Sequence, residues 1–171
     1  MANDNDVNND GTALPEGAFD GPAEFGAHVR TALAAAAGQG WTEIVLSDPD
    51  FADWPLGERA VVDALQAWAA SGRSLKMLAH RFDVFERHHA RFVHWRRMWD
   101  HIVQCRALPQ WNAGDVPSAI WTPAWSLRRI DPERSRGVCG VSAADRVGLR
   151  QRLDEGFQAG RPGFPASVLG L

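Results

Sequence analysis

From Pro22 to Leu108 the chain alternates an amphipathic segment with a short apolar run three times over, and that alternation constrains the fold more than any other feature. "PAEFGAHVRTALAAAAG" sets Phe25, Val29 and Leu33 at steps of four on one helical face and stops at Gly38. The run Ile44, Val45 and Leu46 follows as a strand over 43–47. "DWPLGERAVVDALQAWAASG" has Asp53 in a capping position, proline in the first turn, an apolar stripe of Val61, Leu65 and Trp68, and Gly72 as terminator. "SLKMLA", residues 74–79, predicts a second strand, "DVFERHHARFVHWRRMWDHIV" one long helix, and "QCRAL" a third strand. Strands separated by helices are joined by crossovers, so the pattern predicts a parallel sheet covered by helices.

Beyond Leu108 the pattern changes. "SAIWTPAWSLRRID" reads as two short strands broken at Pro123, and "RGVCGVS" as a further strand. Ser142, with Asp145 three residues later, caps a last helix whose buried stripe is Leu149, Leu153 and Phe157. The expected fold is therefore a single α/β domain over residues 22–171, with a mainly parallel mixed sheet flanked by helices. A chain of 171 residues with 45 % hydrophobic residues supports one such core. Its closing "PGFPASVLGL" is apolar enough to pack on it. Residues 1–21, rich in Asn, Asp and Gly, cannot recover the entropy cost of ordering and are expected to form a disordered acidic tail. Six acidic residues precede the first basic one, Arg30, so setting them aside from the formal charge of −3 leaves the remainder at +3.

No apolar stretch is long enough to span a bilayer, and no secretory leader is visible, which predicts a cytoplasmic protein with no membrane contact. Two isolated cysteines, Cys105 and Cys139, make neither a disulfide framework nor a zinc site and are expected to be reduced core residues.

The chemistry turns first on Asp48 and Asp50, which end a core strand as Asp-Pro-Asp. A strand ending Asp-x-Asp resembles the nucleophile motif of the haloacid dehalogenase superfamily, but the downstream acidic pair is missing and the only lysine, Lys76, lies inside a strand. The expectation is a turn in which proline sets the backbone and the aspartates bond nearby amides. If the strands at 43–47 and 74–79 are parallel neighbours, Asp48, Asp50, His80 and Arg81 meet at the sheet edge where open α/β sheets bind ligands, with a charge pairing worth about 0–1 kcal/mol. His88, His89, His94 and His101 contain no i, i+4 pair, which argues against a metal site. No Gly-x-Ser-x-Gly turn or phosphate-cradling glycine loop is present, so no catalytic residue and no cofactor is assigned. Arg87 and Arg91, with His94 and His101, share the helix side away from Phe85, Phe92, Trp95 and Trp99. They join Arg128 and Arg129 as phosphate-binding candidates, because aromatics interleaved with arginines are what single-stranded nucleic-acid platforms use.

The element order, with "EIVLSDPDF", "ERAVVDALQAWAASGRSLKMLAHRFD", "HIVQCRALP", "SLRRIDPERSRGVCGVS" and "RLDEGFQAG", resembles a half-unit of the phospholipase D-like fold, and more narrowly small proteobacterial domains of that type. The active family carries His-x-Lys followed four residues later by Asp. Anchored on Asp131, the lysine position falls on Ser126 and the histidine position on Ala124, so the resemblance implies the fold without its covalent chemistry. It also implies a homodimer, since active members pair two halves, and eight tryptophans with no tyrosine fit a chain with aromatic area to bury. The main functional expectation is a non-catalytic binding or interaction module with a protein partner. The alternatives are a weak phosphodiester or nucleic-acid binder, and an enzyme of unrecognised mechanism using Asp48 and Asp50.

Overall fold

The computed structural model describes residues 13–165. In chain order the elements are β1 (Gly17–Asp20), α1 (Pro22–Gln39), β2 (Glu43–Asp48), α2 (Arg59–Ala69), β3 (Ser74–Ala79), α3 (Phe85–His88), α4 (Ala90–Met98), β4 (Val103–Ala107), β5 (Ser118–Trp121), β6 (Ser126–Asp131), β7 (Arg136–Gly140), α5 (Ala143–Ala159) and β8 (Arg161–Pro162). The strands form one eight-stranded sheet in the order β1-β7-β6-β5-β2-β3-β4-β8. A single α/β domain with an open mixed sheet flanked by helices is the class expected from the alternation.

Parallel pairing is narrower than expected. It is confined to β2, β3 and β4, whose register sets Glu43 against Ser74 and Leu75 against Val103. Every other neighbour is antiparallel. For β5-β6 and β6-β7 the cause is local, because their four-residue connections are hairpins and a parallel pair needs a crossover several times longer. The first hairpin is held by Thr122, whose Oγ1 donates to the Trp125 carbonyl at 2.6 Å and accepts the Trp125 N–H at 2.9 Å. A second correction concerns the expected acidic tail. Its residues Gly17–Asp20 form β1 against β7, with Phe19 buried against Phe25 of α1. Residues 1–12 of that tail, and the end of the apolar C-terminal segment, lie outside the described residues. Within that segment Phe164 stacks on Phe82 and Phe85.

Two apolar clusters cover the two faces of the sheet. Ile44, Leu46, Met77, Ile120 and Leu127 meet α1, α2 and α4 through Val29, Leu33, Leu65, Trp68, Phe92 and Trp95. On the other face Val45, Leu78 and Ala119 meet Leu149 and Leu153 of α5. Gly156 allows this approach, since a Cβ there would lie 2.6 Å from the Leu78 side chain. Because α5 is alone on its side, Ile130 and Val138 on the outer face of β6 and β7 remain exposed. Ser142 caps α5 as its sequence predicts, accepting the Asp145 N–H at 3.3 Å.

The long helix expected from Asp83 onward is broken into α3 and α4 at His89, which adopts φ −130° and ψ 45°. His89 is buried and its Nε2 donates to the Phe51 carbonyl at 2.8 Å. Among the described residues Nδ1 has no hydrogen-bond partner, and the bond to the Phe51 carbonyl puts a proton on Nε2. The break thus exchanges helix regularity for a tie between α3-α4 and the loop after β2. Burial lowers the His89 pKa below its ordinary 6.5, ahead of the opposing hydrogen bond to Phe51. The unfolded chain therefore takes up a proton at this site as pH falls below about 6.5 while the folded protein resists it, so stability drops in that window. Urea midpoints at pH 7.5 and 5.5 should show this loss in the wild type and a smaller one in His89→Gln. An equal loss in both proteins would refute the assignment.

Candidate nucleic-acid interface

At the end of β2 the apolar run stops because Asp48 turns the chain. Its Oδ2 accepts the N–H groups of Asp50 at 3.2 Å and Phe51 at 2.8 Å, and Asp50 Oδ1 accepts the Ala52 N–H at 2.9 Å. This is the turn-building role expected of both aspartates, and it places Phe51 at φ 61°, where it carries its carbonyl to His89. Asp48 is buried, and its other oxygen accepts Arg129 Nη2 at 2.9 Å. Arg129 lies on the inward face of β6 with its guanidinium 4.0 Å from the centre of the Phe25 ring. Its remaining N–H groups go to Ser118 Oγ at 3.0 Å, Ser135 Oγ at 3.2 Å and both carboxylate oxygens of Asp53. Burial works against its charge, but the Asp53 hydrogen bonds and the nearby Asp48 charge outweigh that and raise its pKa above the ordinary value. Every donor of this fork is engaged inside the fold. Asp53, read from sequence as a cap, serves this network, while α2 starts at Arg59 without a side-chain cap.

The backbone brings His80 and Arg81 to the same loop, since both N–H groups donate to the Pro49 carbonyl at 3.0 and 3.3 Å. Their side chains go elsewhere. His80 Nδ1 lies 3.0 Å from the Leu108 carbonyl and donates to it, and Arg81 sits 4.0 Å from Asp83. The sheet-edge grouping of Asp48, Asp50, His80 and Arg81 is thus close in backbone, while the charge partner of Asp48 is Arg129. Among the described residues no group of three or more His, Cys, Asp or Glu side chains could hold a metal ion, and no helix is long and apolar enough to cross a membrane.

Neither cysteine is reactive. Burial pushes the Cys105 thiol up to about 12 and Cys139 to about 11, so both are protonated at neutral pH. A thiol titration with Ellman's reagent should find essentially no fast-reacting group in the native protein and two in urea; prompt modification of the native protein would contradict this.

The basic residues of the expected long helix do reach solvent. Arg87 on α3, and Arg91 and His94 on α4, are exposed, while Phe85, Phe92 and Trp95 face the core. From Val84 to Met98 the chain carries four arginines and one glutamate. Arg96 is withdrawn from this set, being buried and paired to Asp100 at 2.8 Å. Between α2 and α4 runs a groove of about 530 Å³ floored by Val62, Trp95 and Met98, with Arg59, Arg91 and His94 on its rim and Asp63 as the opposing charge. Met98 is 56 % exposed, so the apolar floor is open to solvent. Gln66 joins the two helices by accepting the Trp99 N–H at 2.8 Å. Arg91 is held over the groove by a 3.1 Å bond from Nη1 to the Gly57 carbonyl. The four arginines singled out from sequence therefore do not form one site. Arg87 and Arg91 lie on the α4 side, Arg129 is enclosed, and Arg128 projects from the opposite face of the sheet, towards α5.

No family model and no curated protein matches the chain. Among solved structures its fold is similar to that of TrmBL2, an archaeal chromatin protein whose structure shows a novel mode of DNA binding. The TM-score is 0.65 at 14 % identity, covering 88 % of this chain and 56 % of that one. The chain thus spans little more than half the length of this neighbour, and at that identity the likeness is one of fold alone.

This finding overturns the phospholipase D-like resemblance. The alternating order that suggested it belongs to α/β sheets in general. The phrases that carried it have structural work in this chain: Asp48 builds a turn, and Asp131 accepts the Arg134 N–H in the β6-β7 turn at 3.2 Å. The homodimer inferred from it loses its basis as well. Tryptophans 41, 54, 68, 95 and 125 are buried in the protein's own core, and Trp99, Trp111 and Trp121 pack at its margins, so they need no second copy to cover them.

Proposed function

We propose that the protein is a non-catalytic nucleic-acid-binding module that uses the outer surface of α3 and α4 and the α2-α4 groove. The observation that carries this reading is that Arg59, Arg91 and His94 rim an open apolar groove between α2 and α4, with Arg87 exposed on the neighbouring α3. Guanidinium groups on such a surface can neutralise backbone phosphates and release condensed counterions. The exposed Met98 offers an apolar surface on which an unstacked base can rest. The fold likeness to a DNA-binding chromatin protein supports this reading over a protein-interaction module. Binding carried by phosphate contacts is electrostatic and sequence-tolerant, with a dissociation constant on the order of 10⁻⁴–10⁻⁶ M at physiological salt.

The test is fluorescence anisotropy with labelled single- and double-stranded DNA of unrelated sequences, between 50 and 200 mM salt. The expected result is binding that weakens steeply with salt and differs little between sequences. Absence of binding at 50 mM salt would overturn the proposal.

A further inference from the structure

We infer that the cleft between β5-β6 and α5 is a binding site for a small organic anion, a phosphate or carboxylate carried on an apolar body. The cleft encloses about 490 Å³ and lies on the face of the sheet opposite the proposed nucleic-acid surface. Ser118 on its wall opens β5 beside the C-terminal end of β2, where the parallel strands meet the antiparallel ones. The strand order also reverses between β2 and β5, and open α/β sheets accept ligands at such a switch point, outside the carboxyl ends of their strands. The volume falls within the range of small-molecule pockets.

Two cations define the charge of the cleft. Arg128 projects into it and makes no hydrogen bond or ion pair with another described residue. Arg152 is fixed at the mouth, with Nη2 donating to the Asp115 carbonyl at 3.0 Å and its guanidinium 5.0 Å from the centre of the Trp111 ring. The opposing carboxylate, Asp115, is engaged by the Asn112 amide at 3.2 Å, and Arg152 also lies 3.7 Å from Glu155. Arg129 adds no free charge because Asp48 and Asp53 hold it. Val116, Leu149 and Ile130 supply an apolar part of the wall. A forked cation opposite an apolar wall selects a ligand with an anionic head and an apolar body over a bare inorganic ion. Gly148 of α5 lines the cleft, and a Cβ there would meet nothing within 4 Å, so the helix leaves open space on this side.

Calorimetric titration with phenyl phosphate and with inorganic phosphate tests the site. Phenyl phosphate is expected to bind with one-to-one stoichiometry and more tightly than inorganic phosphate. Arg128→Ala should weaken it by roughly tenfold or more, as loss of a charge-assisted hydrogen bond does. Gly148→Leu should weaken binding by filling the cleft, while Gly148→Ala, whose Cβ meets nothing within 4 Å, should melt no lower than wild type because alanine is the better helix former. DNA binding should be unchanged in these variants, since the two surfaces are on opposite faces of the sheet. No heat with phenyl phosphate, equal affinity for inorganic phosphate, or undiminished binding in Gly148→Leu would each overturn the inference.

Discussion

Replacing Arg129 with alanine is expected to remove about 3–5 kcal/mol of folding stability, the usual consequence of leaving one member of a buried ion pair without its partner. The side chains of Arg129 and Asp48 are 2 % and 3 % exposed, so neither charge can turn to water when the other is removed. Asp53, half exposed, can rehydrate and contributes less to the loss. A small domain has a total stability of about 5–15 kcal/mol, so a variant without a cooperative transition lies on the expected side. Arg129→Lys retains the charge without the five-donor fork and should fall between. The double variant Asp48→Asn with Arg129→Met should be more stable than the sum of the single losses predicts, by on the order of 1 kcal/mol or more, since both buried charges leave together. Urea midpoints within about 1 kcal/mol of wild type for Arg129→Ala would show that the pair is not structural.

This network also marks where the sequence stops being legible. Features set by neighbours within a few residues could be read directly: the apolar faces of α1, α2 and α5, the Ser142 cap, and the turn in which Asp48 and Asp50 bond the amides that follow them. The pairing of Asp48 with Arg129 spans 81 positions, and a strand's charge pattern does not say which distant carboxylate it meets. Arg129 therefore looked from sequence like a phosphate ligand. The break at His89 was hidden for the same reason. No proline or glycine marks it, and its cause is a carbonyl 38 residues away. Strand β1 was lost inside an acidic segment because a four-residue edge strand with one buried side chain, Phe19, has almost no periodic signal. The return of β5 to pair with β2 was likewise a non-local choice that alternation alone does not specify. Of the candidate site, the exposed arginines of α3 and α4 were visible as a helical face. The α2-α4 groove between them was not, because it is made by two helices that are adjacent only in the fold.

The second large effect is expected at that surface. Arg87 and Arg91 are exposed, and removing them costs the fold only one solvent-exposed hydrogen bond, from Arg91 to Gly57. If each contacts one phosphate, the variant Arg87→Ala with Arg91→Ala loses about two released counterions, and its slope of log affinity against log salt becomes shallower by about 2. At 50 mM salt this corresponds to an affinity loss on the order of tenfold or more. Arg128→Ala, on the far face of the sheet, serves as the control for the loss of one arginine charge elsewhere.

The most direct measurement is therefore the salt dependence of single-stranded DNA binding for wild type, Arg87→Ala with Arg91→Ala, and Arg128→Ala, in one anisotropy series. The account predicts a slope reduced by about 2 in the double variant and a slope equal to wild type in Arg128→Ala. An unchanged slope in the double variant, or a loss in Arg128→Ala as large per arginine, would contradict the assignment of the α3-α4 surface as the nucleic-acid interface.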